Sequence, residues 1–485
     1  MPKEITSEKS NIDNLLGDIL QKYANKPLDL LLSNAIIRKN IIKFVDKKIK
    51  ASLLNNKNYP QKVQEDKYYM VRNFIGALDK ALKQTKAPAV HKALINSMIQ
   101  NILLNSKPQI KKFKEEFGKT PPAFLVISPG KFCNLKCIGC YANSSSSSSE
   151  KLDWDVLDRI ITEKTNLWGS YITVISGGEP LLWKSQGKTI IDMAKKHSDN
   201  FFLMYTNGTL ITKEIAKDLA EAGNITPAIS VEGFEEETDE RRGKGIFKKI
   251  LEAIDNLNEA GVAFGISVTP TRKNCLLLTS EKFIKYFQAK GALHTWMFQL
   301  MPIGRASFDL VVTPEQRKEM FYKTQDLIKK GYFVADFWNC GSVTNGCISA
   351  GKESSGHLYI EWNGNITPCT FNPYAVANIN EVYKSGGTLN DVLNKPFLQK
   401  IRRWQDDYAS KQGNWILPCP IRDHYKEMRE FIDEDKPEPI DESAKQALQD
   451  KEYAEKMINY DKDLAEVFDP IWEKEYKKQK RPFKR

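Results

Sequence analysis

The sequence predicts an α/β protein built on a partial (β/α)6 barrel, with an α-helical N-terminal region and an irregular C-terminal extension. Two observations predict the barrel. From about residue 120, six short β-prone runs recur: "AFLVIS", "YITVIS", "FFLMYT", "PAIS", "AFGISVT" and "TWMFQLM". Helical stretches separate them, among them "TKEIAKDLAEAG" and "FKKILEAIDNLNEAG", each closing on the glycine expected of a C-cap. Strands that alternate with helices pair in parallel through right-handed crossovers. Their C-terminal ends then share one face, and chemistry collects there.

The flanks have a different texture. Residues 1–118 show no strand alternation. In "NAIIRKNIIKFVDKKIKASLL", Ile37, Ile41, Phe44, Val45 and Leu53 recur near the helical period, and Arg38, Lys39, Lys43, Lys47 and Lys50 fill much of the rest. A second helical stretch, "YYMVRNFIGALDKALKQ", follows. After about 330 the chain becomes irregular and richer in Gly, Pro and Cys. The expected divisions are a basic helical domain at 1–118, the barrel at 119–330, the extension at 331–435 and a polar helical tail at 436–485. The tail ends in the basic "KKQKRPFKR". "NSSSSSSE", at 143–150, reads as a structureless loop.

Composition narrows the class. A chain of 485 residues with 41% hydrophobic residues has ample core. It holds no apolar run long enough to span a bilayer, and its N-terminus lacks a secretory signal pattern. Eight cysteines are too sparse for a secreted disulfide scaffold, so a reduced, cytosolic protein is expected. The net charge of +11 is unevenly placed. Residues 1–120 carry 23 Lys and Arg against 11 Asp and Glu, which is more than the whole surplus. That asymmetry suggests an acidic partner, and the basic amphipathic helix suggests peripheral contact with a membrane surface.

"KFCNLKCIGCYANS" follows directly on the first predicted strand and places Cys133, Cys137 and Cys140 in one loop. Three clustered thiolates leave a four-iron cluster with one iron free of protein. A zinc knuckle with a distant fourth ligand is the competing reading of these cysteines alone. "SGGEP" (Ser176 to Pro180) ends the second strand, one βα unit later. "YTNG" ends the third, "ISVEG" the fourth, and "DERRGKG" follows it.

Taken together, "CNLKCIGC" and the later strand ends resemble the radical S-adenosylmethionine (radical SAM) superfamily. The resemblance implies a [4Fe–4S] cluster on Cys133, Cys137 and Cys140, with S-adenosylmethionine on the free iron. Reductive cleavage of the sulfonium would give a 5′-deoxyadenosyl radical that abstracts hydrogen from a substrate. It also implies cofactor contacts from Gly177, Gly178, Glu179, Pro180, Thr206, Asn207, Ser230 and Arg242, with Met301 and Pro302 flanking the adenine. Many relatives place an aromatic residue just before the last cysteine. Here Gly139 stands there, and Tyr141 follows the cysteine.

Cys340, Cys347, Cys369 and Cys419 lie beyond the barrel, and "YIEWNGNITPC" reads as a hairpin delivering Cys369. These features resemble the SPASM or Twitch extensions, which hold auxiliary [4Fe–4S] clusters. One such cluster is expected on Cys347, Cys369 and Cys419, with Cys340, His424 or no protein residue as the open choices for a fourth ligand. Cys275 reads as structural. The expected activity is radical hydrogen abstraction from a peptide, a protein or a membrane-located lipid, with flavodoxin or ferredoxin as electron donor and no nucleic acid. The alternative from another class is an iron–sulfur electron carrier, or a nucleic-acid-binding iron–sulfur sensor.

Overall fold

Helices α1 (Ala35–Leu54), α2 (Gln61–Gln84), α3 (Pro88–Ala93) and α4 (Lys107–Phe117) lead into the sheet. This computed structural model describes residue 32 and residues 34–477, apart from 57 and 411–412. The first 31 residues and nearly all of the basic C-terminal run lie outside the described residues. Asn34 caps α1, its carboxamide oxygen accepting from the amides of Ile36 and Ile37. The apolar face of α1 is not free. Ile49 and Leu53 pack on Tyr68 of α2, flanked by Ile41, Val45, Val71 and Ile75. Arg38 turns inward to Asp79 at 2.9 Å, while Lys39, Lys43, Lys47 and Lys50 stay exposed.

The last part of the N-terminal region forms a floor to the barrel. α3 runs on into a π-helical stretch, Leu94–Asn105. Val90, Leu94 and Ile95 pack against Phe201, Ala263 and Leu293, which stand where three strands begin.

All six expected strands form: β1 (Phe124–Ile127), β2 (Ile172–Ile175), β3 (Phe201–Thr206), β4 (Ile225–Ser230), β5 (Gly265–Val268) and β6 (Thr295–Met297). Each pairs in parallel with the next. Their sides are covered by α5 (Trp154–Trp168), α6 (Ile190–Lys196), α7 (Lys213–Ala222), α8 (Glu235–Arg242), α9 (Ile246–Ala260), α10 (Glu281–Ala289) and α11 (Pro314–Lys329). The sheet then continues past the boundary expected at 330. β7 (Val334–Asp336) adds to β6 in parallel, and β8 (His357–Ile360) adds to the free edge of β1. β9 (Asn365–Thr367) returns antiparallel to β8, forming the hairpin expected before Cys369, and β10 (Ala377–Asn378) pairs with β9. The ten-stranded order is β10-β9-β8-β1-β2-β3-β4-β5-β6-β7. Part of the extension is therefore barrel wall.

Helices α12 (Pro396–Ser410), α13 (Tyr425–Asp435), α14 (Glu442–Gln449) and α15 (Lys451–Ile471) follow. The segment expected to be a polar tail is a clamp. Tyr460, Leu464, Phe468 and Ile471 form one face of α15, and Trp472 and Tyr476 extend it. This face is buried against Val63 of α2, Phe321 of α11 and Trp415. A three-to-four spacing among abundant Lys, Asp and Glu explains why the segment looks polar by composition.

Lys164 on α5 is fully buried and donates to the Ser170 carbonyl at 2.7 Å and to Asn200 Oδ1 at 2.6 Å. Burial pulls its pKa down to about 7, against roughly 10.4 in an unfolded chain. Between those values the unfolded chain binds the extra proton, so stability rises with pH across that window. Below the folded value both states are protonated and the slope vanishes. Thermal midpoints from pH 7 to 9.5 should therefore climb in the native protein more steeply than in Lys164→Met.

Candidate functional site

The three clustered cysteines sit where the fold puts chemistry, in the loop leaving the C-terminal end of β1. This loop is braced from every side. Cys133 is 8% exposed, and its sulfur accepts from the Leu135 amide at 3.4 Å and from Asn207 Nδ2 at 3.8 Å. Burial pushes its thiol up to about 11, with Glu179, Cys137 and Cys140 adding to the rise. A thiol held this way becomes a thiolate on a metal, whose positive charge replaces the proton.

The serine run expected to be structureless is part of the brace. The Cys133 amide donates to the Ser145 carbonyl at 3.1 Å, and Ser144 is 2% exposed. Arg305 donates to Asn143 Oδ1 at 3.0 Å, to the Ser144 carbonyl at 2.8 Å and to the Cys137 carbonyl at 3.3 Å. Serine repeats lack a core of their own, and here a neighbouring guanidinium fixes the backbone.

Gly177 and Gly178 mesh with this loop. The Gly178 amide donates to the Gly130 carbonyl at 2.9 Å, and the Glu179 amide to the Phe132 carbonyl at 2.8 Å. Gly177 has φ 121°, and a Cβ there would stand 2.6 Å from the Gly130 oxygen; at Gly178 it would strike the Phe132 carbonyl. Close approach of two backbones is thus the local reason for both glycines. Gly178→Ala should force the loops apart, lowering both the thermal midpoint and the iron retained after anaerobic reconstitution. Gly76→Ala, in open space on α2, should instead be neutral or stabilising by about 0.5–1 kcal/mol.

Glu179, Thr206 and Asn207, expected as cofactor contacts, are committed to one another. The Glu179 carboxylate is 2% exposed. It accepts from Thr206 Oγ1 at 2.7 Å, the Asn207 amide at 2.8 Å and the Leu181 amide at 3.2 Å. Asn207 Nδ2 also donates to Asn134 Oδ1 at 2.9 Å. This brace ties the ends of β2 and β3 to the cysteine loop. Pro180 is buried beside it, in a short 3-10 turn. Ser230 is half-buried, 3.1 Å from Ser267 across the ends of β4 and β5.

Arg242 stands 4.0 Å from the Cys137 sulfur and is held by Glu232 through its Nε at 3.0 Å. Glu232, fully buried, also pairs with Arg241 at 2.5 Å, and Arg241 donates to the Ile138 carbonyl at 3.0 Å. Arg242 thus faces a thiol directly, while Arg241 and Arg305 hold carbonyls of the same loop, an arrangement that suits a negatively charged thiolate cluster. Arg241, Arg305 and Glu232 were not legible as site residues, because sequence does not say which side chains near a strand end face the cysteine loop. Gly139 faces Leu300, whose Cδ1 would lie 2.9 Å from a Cβ there. Tyr141 points into the barrel, 2.8 Å from Ser176 Oγ. Met301 is 3% exposed.

The second cysteine group also assembles. The Ala350 amide donates to the Pro368 carbonyl at 2.8 Å, joining the loops of Cys347 and Cys369. Cys369 and Cys419 both feel the Cys347 thiol, and burial raises both. The Ser349 amide donates to the Cys347 sulfur at 3.4 Å, and the amides of Phe371 and Asn372 serve Cys369. Cys275 is 1% exposed in the core, away from both groups. Among the described residues, no three Cys, His, Asp or Glu side chains are arranged around one ion. Thiols gathered at wider spacing, two of them with amide donors and Cys419 with the Trp338 side chain, fit a multi-iron cluster.

Residues 127–272 match the family model of the radical SAM superfamily, and residues 347–431 match that of SPASM, an iron–sulfur cluster-binding domain. The chain thus carries a match to the radical SAM domain, followed by one to the SPASM domain. Its SPASM region starts at Cys347 and leaves Cys340 outside. An AdoMet-dependent heme synthase of Methanosarcina barkeri is 28% identical over 279 residues, 51% of this chain and 77% of that protein. The mycofactocin maturase MftC of Mycolicibacterium smegmatis is 30% identical over 225 residues, 45% of this chain and 56% of the maturase. The solved structure of Streptococcus suis SuiB bound to S-adenosylmethionine aligns with a TM-score of 0.48 at 19% identity, over 62% of this chain and 72% of that one. Radical SAM proteins of this type are enzymes that use an iron–sulfur cluster and S-adenosylmethionine, and the SPASM region adds auxiliary iron–sulfur binding.

Proposed function

We propose that this enzyme abstracts hydrogen from a peptide held between its two cysteine groups. Cys133, Cys137 and Cys140 would hold the radical SAM cluster, and Cys347, Cys369 and Cys419 the auxiliary one. Such a cluster, with S-adenosylmethionine bound, would supply one-electron reductive cleavage of the sulfonium and hence a radical for hydrogen abstraction. The chain's own residues do the rest. Glu179 and Asn207 fix the cysteine loop against the ends of β2 and β3. Glu232 orients Arg242 beside Cys137. The floor formed by α3 and its π-helical continuation excludes water from below.

The observation that supports the substrate class is a narrow crevice, with about 40 Å³ open to a water-sized molecule, that both cysteine groups' loops line. Tyr141 and Ala142 of the first cysteine loop line it, as do Thr370 beside Cys369 and Ile421 beside Cys419. Five tyrosines and Trp362 give it apolar walls with polar tips. Its one charged lining residue is Asp441; no Lys, Arg or His lines it among the described residues. A carboxylate-rich macrocycle would need cations there, whereas a peptide side chain with its amides does not. The lipid alternative drew on the apolar stripe of α1, of which Ile41, Val45 and Leu53 are packed on α2 while Phe44 stays exposed. An external one-electron protein donor completes the scheme.

The test measures 5′-deoxyadenosine formed anaerobically with dithionite, with and without a mixed-sequence decapeptide library. Peptide-dependent stimulation together with a mass change in the peptide is expected. Stimulation by Fe-coproporphyrin III and none by peptides would overturn the peptide reading.

A further inference from the structure

The crevice carries a single charge, and the fold holds that charge in place. Asp441 caps the start of α14, its Oδ1 accepting the Ala444 amide at 2.8 Å. Two contacts fix this helix start at the crevice. The Ile440 amide donates to the Pro373 carbonyl at 3.0 Å, a few residues past Cys369. Ser443 Oγ donates to the Gly304 carbonyl at 3.3 Å, in the loop that leaves β6.

Around Asp441 the walls are aromatic. Tyr141, Tyr359, Trp362, Tyr374, Tyr425 and Tyr453 line the crevice, and Tyr425 meets Tyr453 edge to face at 5.9 Å. Among the described residues no Lys, Arg or His lines it. Arg429 lies beside Tyr374 and Tyr425, but its guanidinium is held by Asp433 at 2.9 and 3.1 Å and by the Leu448 carbonyl at 2.8 Å.

A peptide that covers the crevice strips water from Asp441, and a carboxylate dried without a partner is costly. Tyrosine and tryptophan rings present negative faces, which attract a cation. An ammonium answers both needs. It pairs with the carboxylate and lies against the rings. Size agrees as well. The 40 Å³ open to a water-sized molecule is room for about three waters, or for the outer atoms of one lysine side chain.

We infer that the crevice takes the ammonium of a lysine side chain of the peptide, and that Asp441 selects it. Asp441 is then a specificity-determining residue. This inference rests on the peptide reading above and narrows it to peptides that carry a basic residue.

The test uses the full chain, reconstituted anaerobically and given dithionite and S-adenosylmethionine. Decapeptide libraries of otherwise uncharged residues carry lysine, norleucine, arginine or glutamate at one central position. The concentration giving half-maximal 5′-deoxyadenosine formation should be roughly tenfold lower for lysine than for uncharged norleucine. Raising the salt should shrink that advantage. Asp441→Asn keeps a capping side chain and should bring lysine and norleucine to the same concentration, with circular dichroism and iron content unchanged. Stimulation without a lysine advantage, or a preference for arginine, norleucine or glutamate, would overturn the inference and leave the peptide reading standing. These comparisons need only the unaltered protein, so they decide even if the variant misfolds. A lysine advantage that persists in folded Asp441→Asn would also overturn the inference. Absence of stimulation by every library would overturn the peptide reading itself.

Discussion

Replacing Cys133, Cys137 and Cys140 together by alanine should abolish reductive cleavage of S-adenosylmethionine and lower the iron from about eight to about four per chain. The fold should survive. These cysteines lie in a loop, and its path is set by other contacts: the Cys133 amide to Ser145, the Glu179 amide to Phe132, and Arg305 to three loop acceptors. Two of the three side chains are only half-buried, so their truncation removes little packing. Circular dichroism, iron analysis and chromatographic measurement of 5′-deoxyadenosine together make the check. Persisting cleavage in the variant would show that the electron enters elsewhere. A single Arg242→Lys change should act more mildly, because an ammonium keeps the charge near Cys137 but cannot reproduce the guanidinium's contacts with Glu232.

The barrel was legible because its strands are short apolar runs set off by amphipathic helices, and the period switches cleanly between them. β7 and β8 were not. Val334–Asp336 is three residues long, and His357–Ile360 begins with a histidine and sits amid glycines. Nothing local says that such a run joins the free edge of β1, since pairing across more than 200 residues is a tertiary fact. The cysteine groups were legible from spacing and residue type. The roles of Glu179, Thr206 and Asn207 were not, because a motif names residues without saying which side chains face each other. Glu179 shows the difference. A carboxylate in a cofactor motif suggests a ligand, and the sequence does not say that it also accepts three hydrogen bonds bracing the loop. The C-terminal clamp was hidden by composition, with Phe468 and Leu464 fully buried on a helix rich in Lys, Asp and Glu.

Asp423→Ala should be among the most destabilising single changes outside the barrel, by about 3–5 kcal/mol. Arg317 of α11 and Asp423 are both fully buried in their side chains and form a two-pronged ion pair. The guanidinium is further held by the Ile416 carbonyl at 3.0 Å and Asn339 Oδ1 at 3.3 Å. Removing the carboxylate leaves a buried cation with only neutral acceptors, and that stranded charge dominates the cost. Asp423→Asn keeps the shape and part of the hydrogen bonding, so its penalty should be smaller. The double change Arg317→Met with Asp423→Leu removes both charges and should recover most of the loss. The same carboxylate fixes the Cys419 amide, so Asp423→Ala should also release auxiliary iron while sparing the cluster at Cys133, Cys137 and Cys140. Thermal midpoints and iron content of the three variants, measured anaerobically on one day's reconstitution, separate these effects. Equal midpoints for Asp423→Ala and the double variant would mean that the stranded charge is not what destabilises the fold.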